Sequence, residues 1–313
     1  MIEAQDIAET ARHIASRVRR TPVLDVDVPG CDLPVTLKLE FLQHTASFKP
    51  RGAFANLIGR DLPKAGVAAA SGGNHGAAVA YAAWRLGIKA HVFVPELAAP
   101  AKVGRIRSYC AELVQDGSNY EAALANCDRF VAETGALAIH AYNSRATLLG
   151  QGTLGLELED QAPQLDTVLV AVGGGGLIGG IAAWYRGRTK VMGVEPETSR
   201  ALHAALEAGA PTSVSVSGIA TDSLGASRAG DLMFPIAEAF VDRVTLVNDR
   251  EIRDAQRWLW EHIRIVAEPG GATALAALLS GAYQPAARER IGVVVCGANT
   301  EPETFAKVIA HAL

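Results

Sequence analysis

The chain has 313 residues, of which 49% are hydrophobic and 20% are charged, and its formal net charge is -4 at pH 7. This length and composition are typical of a globular protein with one or two domains. The small negative charge argues against nucleic-acid binding and against an anionic membrane as partner, so a small-molecule ligand is the leading expectation.

Neither the cysteines nor the hydrophobic segments indicate export or membrane insertion. The four cysteines are scattered without C-x-x-C spacing, so we expect neither a zinc site nor a disulfide framework. The N-terminus has acidic residues and apolar residues at helical spacing, unlike a signal peptide. The longest uncharged stretch, residues 167–185, is interrupted by four consecutive glycines. We therefore predict a cytoplasmic protein without a membrane span.

Short strand-like runs alternate with longer helical patterns along the chain. After an N-terminal helix, the predicted strands are VTLKLE, GVAAAS, AHVFVP, ALAIHAY, DTVLVAV, KVMGVEP, RVTLV and IGVVVC, and a closing helix starts near Glu301. This order predicts an α/β fold with two open, twisted, mainly parallel sheets flanked by helices. We predict a small domain at 65–143, inserted in a large domain built from 1–64 and 144–313. A ligand site between two such units is common.

A run of four glycines, Gly173 to Gly176, joins a predicted strand to a predicted helix. Such a loop can present several backbone N–H groups to one anion at a helix N-terminus. The same pattern also suits a dinucleotide-binding turn or a tight packing corner. For a nicotinamide-dependent oxidoreductase, Glu195 is the available partner for a ribose hydroxyl.

A second glycine-rich turn, SGGNHG, contains Ser71, Gly73, Asn74 and His75 and opens another helix. Its hydroxyl, amide and backbone N–H groups could bind a carboxylate. Asn74 is equally explained as a helix cap, and His75 as a packed histidine.

The segment SFKPRGAF places Lys49 directly before Pro50, which suits the first position of a helix. The positive helix end and partial burial would both disfavour the ammonium form of Lys49. Such a lysine can act as a nucleophilic amine and form a Schiff base with an aldehyde. The alternative is a flexible lysine that reaches solvent.

Together these motifs resemble the serine/threonine dehydratase and serine racemase family of fold-type II pyridoxal phosphate enzymes. In chain order they are KLEFLQHTASFKPRGAF, SGGNHG, GQGTLGLEL, VGGGGLIGG, GVEPE, EPGGATALAAL and CGAN, and the resemblance extends from about Arg20 to the C-terminal region. It implies a tryptophan synthase β-like fold, pyridoxal 5'-phosphate as cofactor, an amino-acid substrate and a homodimer.

The resemblance also implies roles for individual residues. Lys49 would bind the cofactor covalently and act as the catalytic base, and Phe48 would pack near the ring. Asn74 would bind the ring hydroxyl, and Cys296 would face the pyridine nitrogen, where serine is more common in the family. The cofactor phosphate would be bound by Gly173, Gly174, Gly175, Gly176 and Leu177, and the substrate carboxylate by Ser71, Gly73, Asn74 and His75.

The activity implied is dehydration and deamination of a β-hydroxy amino acid such as L-threonine or L-serine to a 2-oxo acid and ammonia. A neutral group at Cys296 would leave the pyridine unprotonated, which suits elimination. Alternatives are a dehydratase of 3-hydroxyaspartate or phenylserine, an amino-acid racemase, and a noncatalytic metabolite-binding homologue. Arg145 is a candidate partner for a second substrate carboxylate, or a surface arginine.

Two departures from the family pattern narrow these alternatives. Gly72 stands where serine racemases have a serine that shuttles a proton, so we expect weak racemisation at most. The racemase-like metal site uses a glutamate and an aspartate six residues later. This chain has Glu195 but Ala201 at those positions, so no metal is expected.

Overall fold

The structure, a computed structural model, describes residues 2–98 and 100–310 and contains two β-sheets. The strands are β1 (Val23–Val26), β2 (Val35–Lys38), β3 (Val67–Ala70), β4 (Ala90–Val94), β5 (Glu112–Gln115), β6 (Leu137–Ala138), β7 (Thr167–Ala171), β8 (Lys190–Pro196), β9 (Val241–Val247) and β10 (Ile291–Val294). The larger sheet has the order β1-β2-β10-β7-β8-β9, and the smaller sheet has the order β5-β4-β3-β6. All pairs are parallel except β1 with β2.

Helices cover the sheets. They are α1 (Ala4–Ile14), α2 (Lys49–Leu57), α3 (Asn74–Leu86), α4 (Pro100–Arg107), α5 (Tyr120–Thr134), α6 (Arg145–Gln161), α7 (Gly176–Tyr185), α8 (Ala201–Ala208), α9 (Thr221–Leu224), α10 (Phe234–Phe240), α11 (Asp249–Ile263), α12 (Pro269–Leu279) and α13 (Pro302–Ala310). Among residues 2–98 and 100–310, no helix has the length and apolar character needed to cross a bilayer.

The predicted fold class is confirmed. The burial of the central strands explains why they appear in the sequence as continuous apolar runs. Strands β2, β3, β7 and β10 are buried at every residue, as expected for parallel strands covered on both faces. The four strands of the smaller sheet lie between residues 65 and 143. The domain boundaries themselves remain a prediction.

Several elements were not predicted from the sequence, namely β1, β5, α5 and the helices α8 to α10. Strands β1 and β5 lie at the sheet edges, and most of their residues are exposed or only partly buried. Edge strands lack the continuous apolar run that marks a central parallel strand. Helix α5 has only two fully buried residues, Ala123 and Cys127, so its apolar pattern is weak.

A buried network of charged side chains anchors α2 to α6. Arg51 donates to Glu40 through Nε (2.6 Å) and Nη2 (3.0 Å), and to Glu157 through Nη2 (3.0 Å). Lys38 Nζ donates to Glu157 at 2.5 Å. All four side chains are almost completely buried. Two positive and two negative groups balance, so the network is satisfied within the protein core.

Candidate active site

The segment before α2 pairs with the segment after β10. Ser47 forms an isolated antiparallel bridge with Gly297, and the backbone N–H of Phe48 donates to the carbonyl oxygen of Cys296 at 3.1 Å. The backbone N–H of Ala298 donates to the carbonyl oxygen of Ala46 at 3.0 Å. This pairing brings the start of α2 next to Cys296, although the two segments lie at opposite ends of the chain.

Lys49 is the first residue of α2, with Pro50 in the first turn, as the sequence predicted. Its side chain is partly buried. Nζ donates to the carbonyl oxygen of Ala141 at 3.1 Å and lies 4.9 Å from the centre of the Phe48 ring. Burial lowers the pKa of Lys49 to about 8, although Cys296 and Glu268 partly oppose this shift. A substantial fraction of Lys49 is therefore a neutral, nucleophilic amine near pH 8.

The glycine loop lies between β7 and α7 and has no room for side chains. Gly175 has φ +88°, a left-handed conformation that favours glycine. A Cβ atom on Gly174 would lie 2.5 Å from the ring of Tyr142, and one on Gly175 would lie 2.5 Å from Met233. Helix α7 starts at Gly176, so the loop leads directly to a helix N-terminus, where backbone N–H groups favour an anion.

The second glycine-rich turn lies between β3 and α3. Ser71 Oγ accepts a hydrogen bond from the N–H of Gly73 at 3.2 Å, and α3 begins at Asn74. The His75 side chain is buried, and its Nε2 donates to the carbonyl oxygen of Ile139 at 2.8 Å. Burial, and secondarily Lys49, lowers the pKa of His75 to about 3. The imidazole is thus neutral and engaged, so its backbone N–H is the group available to a ligand.

Cys296 is almost completely buried, and its Sγ lies 3.5 Å from the carbonyl oxygen of Gly270. Burial raises the pKa of the thiol to about 12, with a further contribution from Glu268. The group is therefore a neutral thiol at physiological pH, in agreement with the neutral partner expected from the sequence.

Glu268 and Asn299 contact the predicted site but were given no role in the sequence analysis. Asn74 Nδ2 donates to Glu268 Oε1 at 2.7 Å, and Asn299 Nδ2 donates to Asn74 Oδ1. Glu268 is 5% exposed, and burial raises its pKa to about 7. The motifs EPGGATALAAL and CGAN contain both residues. An acidic residue before a proline is common at the start of any helix, so the sequence did not single out Glu268 as a residue of the site.

Two residues considered in the sequence analysis lie outside this site. Arg145 Nη2 pairs with Asp6 Oδ2 at 2.7 Å, and the arginine side chain is 57% exposed. This exposed pair with Asp6 supports the alternative that Arg145 is a surface arginine over a contact with a second substrate carboxylate. The Glu195 carboxylate accepts the backbone N–H groups of Leu202 (2.9 Å) and His203 (2.8 Å) at the start of α8.

Glu195 consequently serves as an internal helix partner, and the oxidoreductase alternative loses its ribose-binding residue. Within the described ranges, no group of three or more His, Cys, Asp or Glu side chains could hold a metal ion. Ala201, the first residue of α8, provides no ligand beside Glu195.

A cleft of about 230 Å³ opens beside Asn74 and Glu268. It lies between the small-sheet helices α3 and α4 on one side and the starts of α9 and α12 on the other. Gly72 and Gly73 line its inner wall. A substrate can therefore reach the α3 turn from this side.

The residues present fit pyridoxal 5'-phosphate. Lys49 offers an amine for an aldehyde, and the side-chain-free loop from Gly173 to Gly176 at the α7 N-terminus offers a phosphate cradle. Leu177 follows as the second residue of α7. The neutral thiol of Cys296 suits an unprotonated pyridine nitrogen. The role of each of these residues remains a prediction.

Comparison with known proteins gives the same family. The family described as pyridoxal-phosphate dependent enzyme matches residues 14–297. Phenylserine dehydratase of Ralstonia pickettii is 40% identical over 310 residues, which cover 96% of this chain and 94% of that protein. L-threonine ammonia-lyase of Thermotoga maritima is 33% identical over 322 residues, which cover 100% of this chain and 79% of that protein.

A solved structure agrees with this relationship. The structure of maize serine racemase matches with a TM-score of 0.92 and 34% sequence identity, and the match covers 99% of this chain and 97% of that one. Both the sequence match and the fold extend over nearly the whole chain. This chain therefore belongs to the family of pyridoxal-phosphate dependent enzymes.

Proposed function

We propose that this chain is a pyridoxal phosphate-dependent ammonia-lyase that converts a β-hydroxy amino acid, such as L-threonine or L-serine, to a 2-oxo acid and ammonia. The observation that carries the proposal is Lys49, an amine with a pKa of about 8 that lies beside a neutral Cys296 thiol. The Ralstonia relative is named a phenylserine dehydratase and the Thermotoga relative an L-threonine ammonia-lyase, which supports elimination from a hydroxy amino acid.

When bound, pyridoxal phosphate supplies a sink for the electron pair that remains when a proton leaves the substrate Cα. In the proposed reaction, Lys49 Nζ accepts this proton as general base. Its lowered pKa keeps a useful fraction in the neutral form that can accept a proton. The carbonyl oxygen of Ala141 accepts a hydrogen bond from Nζ and so orients the amine.

The substrate carboxylate is proposed to bind at the turn before α3. Ser71 supplies a hydroxyl that accepts from the N–H of Gly73, and Asn74 and His75 supply backbone N–H groups at the N-terminus of this 13-residue helix. The His75 ring is neutral and so does not attract the carboxylate by charge. The positive N-terminal end of α3 supplies that attraction.

Cys296 is proposed to keep the cofactor nitrogen unprotonated. A thiol with a pKa of about 12 carries no charge at neutral pH, so it does not stabilise a protonated pyridine as a carboxylate would. A weaker electron sink favours a reaction in which the β-hydroxyl departs soon after the Cα proton is removed. This supports elimination over transamination.

The test is a substrate screen. L-threonine, L-serine, both diastereomers of 3-hydroxyaspartate, and phenylserine are incubated with the holoenzyme, and release of oxo acid and ammonia is measured while α-proton exchange is followed by NMR. Lys49→Ala is the control. Exchange and inversion of serine without ammonia release would contradict the proposal and favour a racemase. Absence of both reactions would favour a noncatalytic homologue.

A homodimer in the cytoplasm is the remaining part of the proposal. The dimer is supported by the family resemblance, and the location by the scattered cysteines, all four of which are unpaired. Light scattering during size-exclusion chromatography measures the assembly, and a monomeric mass would contradict this part.

A further inference from the structure

Four polar side chains form a continuous line across the cleft beside the site. Arg105 Nη1 donates to Asn299 Oδ1, Asn299 Nδ2 donates to Asn74 Oδ1, and Asn74 Nδ2 donates to Glu268 Oε1. Arg105 and Asn74 belong to α4 and α3 of the small-sheet unit. Asn299 follows β10 and Glu268 precedes α12, both in the large-sheet unit. The line therefore crosses between the two units at each step.

The Arg105 end of this line has fixed hydrogen-bond polarity, and the Glu268 end has it while the carboxyl group is ionised. A guanidinium can only donate, and an ionised carboxylate can only accept. The asparagine amides in the middle each have a donor end and an acceptor end, and these ends could exchange by a flip. With Arg105 donating, Asn299 must present its oxygen to Arg105 and its NH2 group to Asn74. Asn299 Nδ2 also donates to the carbonyl oxygen of Thr45 at 2.9 Å, which supports the same orientation.

This polarity determines which end of the Asn74 amide faces the site. Asn74 presents its oxygen to Asn299, so its NH2 group faces Glu268. One N–H is used by Glu268, and the second remains for an acceptor on the cofactor. In the flipped orientation, the Asn74 NH2 group would face the Asn299 NH2 group, and two donors cannot form a hydrogen bond with each other.

We propose that Arg105 and Asn299 are positioning residues that orient the Asn74 amide, so that its NH2 group is available to the ring hydroxyl of pyridoxal phosphate. The inference rests on the proposed cofactor role of Asn74. Arg105 acts through Asn299 and does not itself contact the cofactor. Cofactor affinity therefore depends on a donor at position 105, on a helix that covers the cleft.

The neighbouring residue Lys102 provides a matched control. It lies on α4 one turn before Arg105 and also crosses the cleft, because its Nζ pairs with Asp222 Oδ2 at 2.9 Å. This pair joins the same two units and forms no hydrogen bond with the amides of Asn299 and Asn74, although Asp222 raises and Lys102 lowers the pKa of Glu268. Removing the Lys102 contact therefore tests two explanations of cofactor affinity. The affinity depends either on any contact that joins the two units across the cleft or specifically on the hydrogen-bonded line.

The experiment compares Arg105→Met, Arg105→Lys, Asn299→Asp and Lys102→Met. The dissociation constant of pyridoxal phosphate is measured by titrating each apoprotein and following the visible absorbance of the bound cofactor. Arg105→Met and Asn299→Asp should each weaken binding at least about tenfold, because the Asn74 amide then loses the partner that fixes its orientation. Arg105→Lys keeps a donor and should restore most of the affinity, and Lys102→Met should bind like the wild type.

Asn299→Asp is the sharper variant, since it retains the acceptor for Arg105 and the shape of the side chain but loses the donor to Asn74. Combining Arg105→Met with Asn299→Asp should cause less than the sum of the two single losses, because both act on one amide. Unchanged affinity in Arg105→Met, or an equal loss in Lys102→Met, would overturn the inference. Failure of the wild-type apoprotein to bind pyridoxal phosphate would instead refute the proposed function.

Discussion

Ser47 pairs with Gly297 in an antiparallel bridge, and this pairing holds Lys49 beside Cys296. Cys296 thus belongs to a short backbone ladder, and Lys49 directly follows that ladder as the first residue of α2. Main-chain hydrogen bonds set the position of the Lys49 backbone relative to Cys296, and the carbonyl oxygen of Ala141 accepts a hydrogen bond from the Lys49 amine. Substitution of either side chain should therefore change the chemistry while leaving this backbone arrangement in place.

Replacing Lys49 should abolish both cofactor attachment and turnover. Lys49→Arg keeps the positive charge but offers a guanidinium that stays protonated and is not a nucleophile. We expect the visible absorbance of the lysine-linked cofactor to disappear and ammonia release to fall by about 10³-fold or more. Absorption spectra and an ammonia assay measure this. Turnover by Lys49→Arg close to that of the wild type would contradict the assignment of the base.

The lowered pKa of Lys49 predicts the pH dependence of cofactor capture by the apoenzyme. Only the neutral amine attacks an aldehyde, so the rate should rise with pH and level off above about 8. An unperturbed lysine would keep gaining reactivity up to about pH 10. Stopped-flow absorbance after mixing with pyridoxal phosphate measures the profile, with Lys49→Ala as the blank. A rate that continues to rise through pH 9.5 would show that burial does not perturb this amine.

Adding a methyl group to the glycine loop should weaken cofactor binding. Gly175→Ala must adopt a left-handed conformation, which costs about 1–2 kcal/mol, and its Cβ approaches Met233. Gly209→Ala is the matched control, because Gly209 has φ +70° but no atom within 4 Å of an added Cβ.

We expect the dissociation constant of pyridoxal phosphate to rise at least about tenfold in Gly175→Ala and to stay unchanged in Gly209→Ala. Both variants place alanine in a left-handed conformation. The melting temperatures of the apoproteins measure the cost of this strain separately from the effect on cofactor binding. Equal affinity in the two variants would place the phosphate elsewhere.

The buried arginine should matter far more for stability than an exposed one. Arg51→Met leaves the carboxylates of Glu40 and Glu157 buried without their main partner, which should lower the free energy of unfolding by about 3–5 kcal/mol. Arg145→Met removes the exposed pair with Asp6 and should cost less than about 1 kcal/mol. Urea unfolding of the apoproteins measures both, and similar losses would contradict this account.

The same network predicts sensitivity to acid. Burial alone would raise the pKa of Glu157, but Arg51 and Lys38 outweigh it and lower this pKa below its ordinary value. The stabilisation is therefore present above the unfolded pKa of about 4.3 and is lost as the pH falls through the lower folded pKa. Glu157→Gln should be less stable at pH 7, with a smaller further loss on acidification below about pH 4.5. Parallel acid profiles of the two proteins would refute this linkage.

Gly72 provides a position at which racemase chemistry can be tested. An added Cβ would have its nearest neighbour, a methyl group of Val94, at 3.6 Å, which is an ordinary contact. Gly72→Ser should therefore fold and place a hydroxyl at the turn, whereas Gly72→Ala fills the space without a proton carrier. We expect faster inversion of L-serine in Gly72→Ser than in Gly72→Ala, measured by chiral chromatography. Equal inversion in the two variants would exclude a proton shuttle at this position.

The sequence by itself determined the fold class and predicted the main site residues, because their signals are local. Buried parallel strands appear as continuous apolar runs, and a lysine before Pro50 or four glycines after a strand constrain the backbone wherever the chain folds. These features also carry the family resemblance. The edge strands β1 and β5 were missed because most of their residues are exposed or only partly buried.

Only the tertiary structure decided which side chains meet around these motifs. Glu268 contacts Asn74 across 194 residues of sequence, and the His75 ring binds a distant carbonyl oxygen while Arg145 points to the surface. No local pattern encodes such contacts, since each depends on how elements from two sheets pack together. Hydrogen-bond geometry and burial therefore set the electrostatics of the site, including the lowered pKa of Lys49.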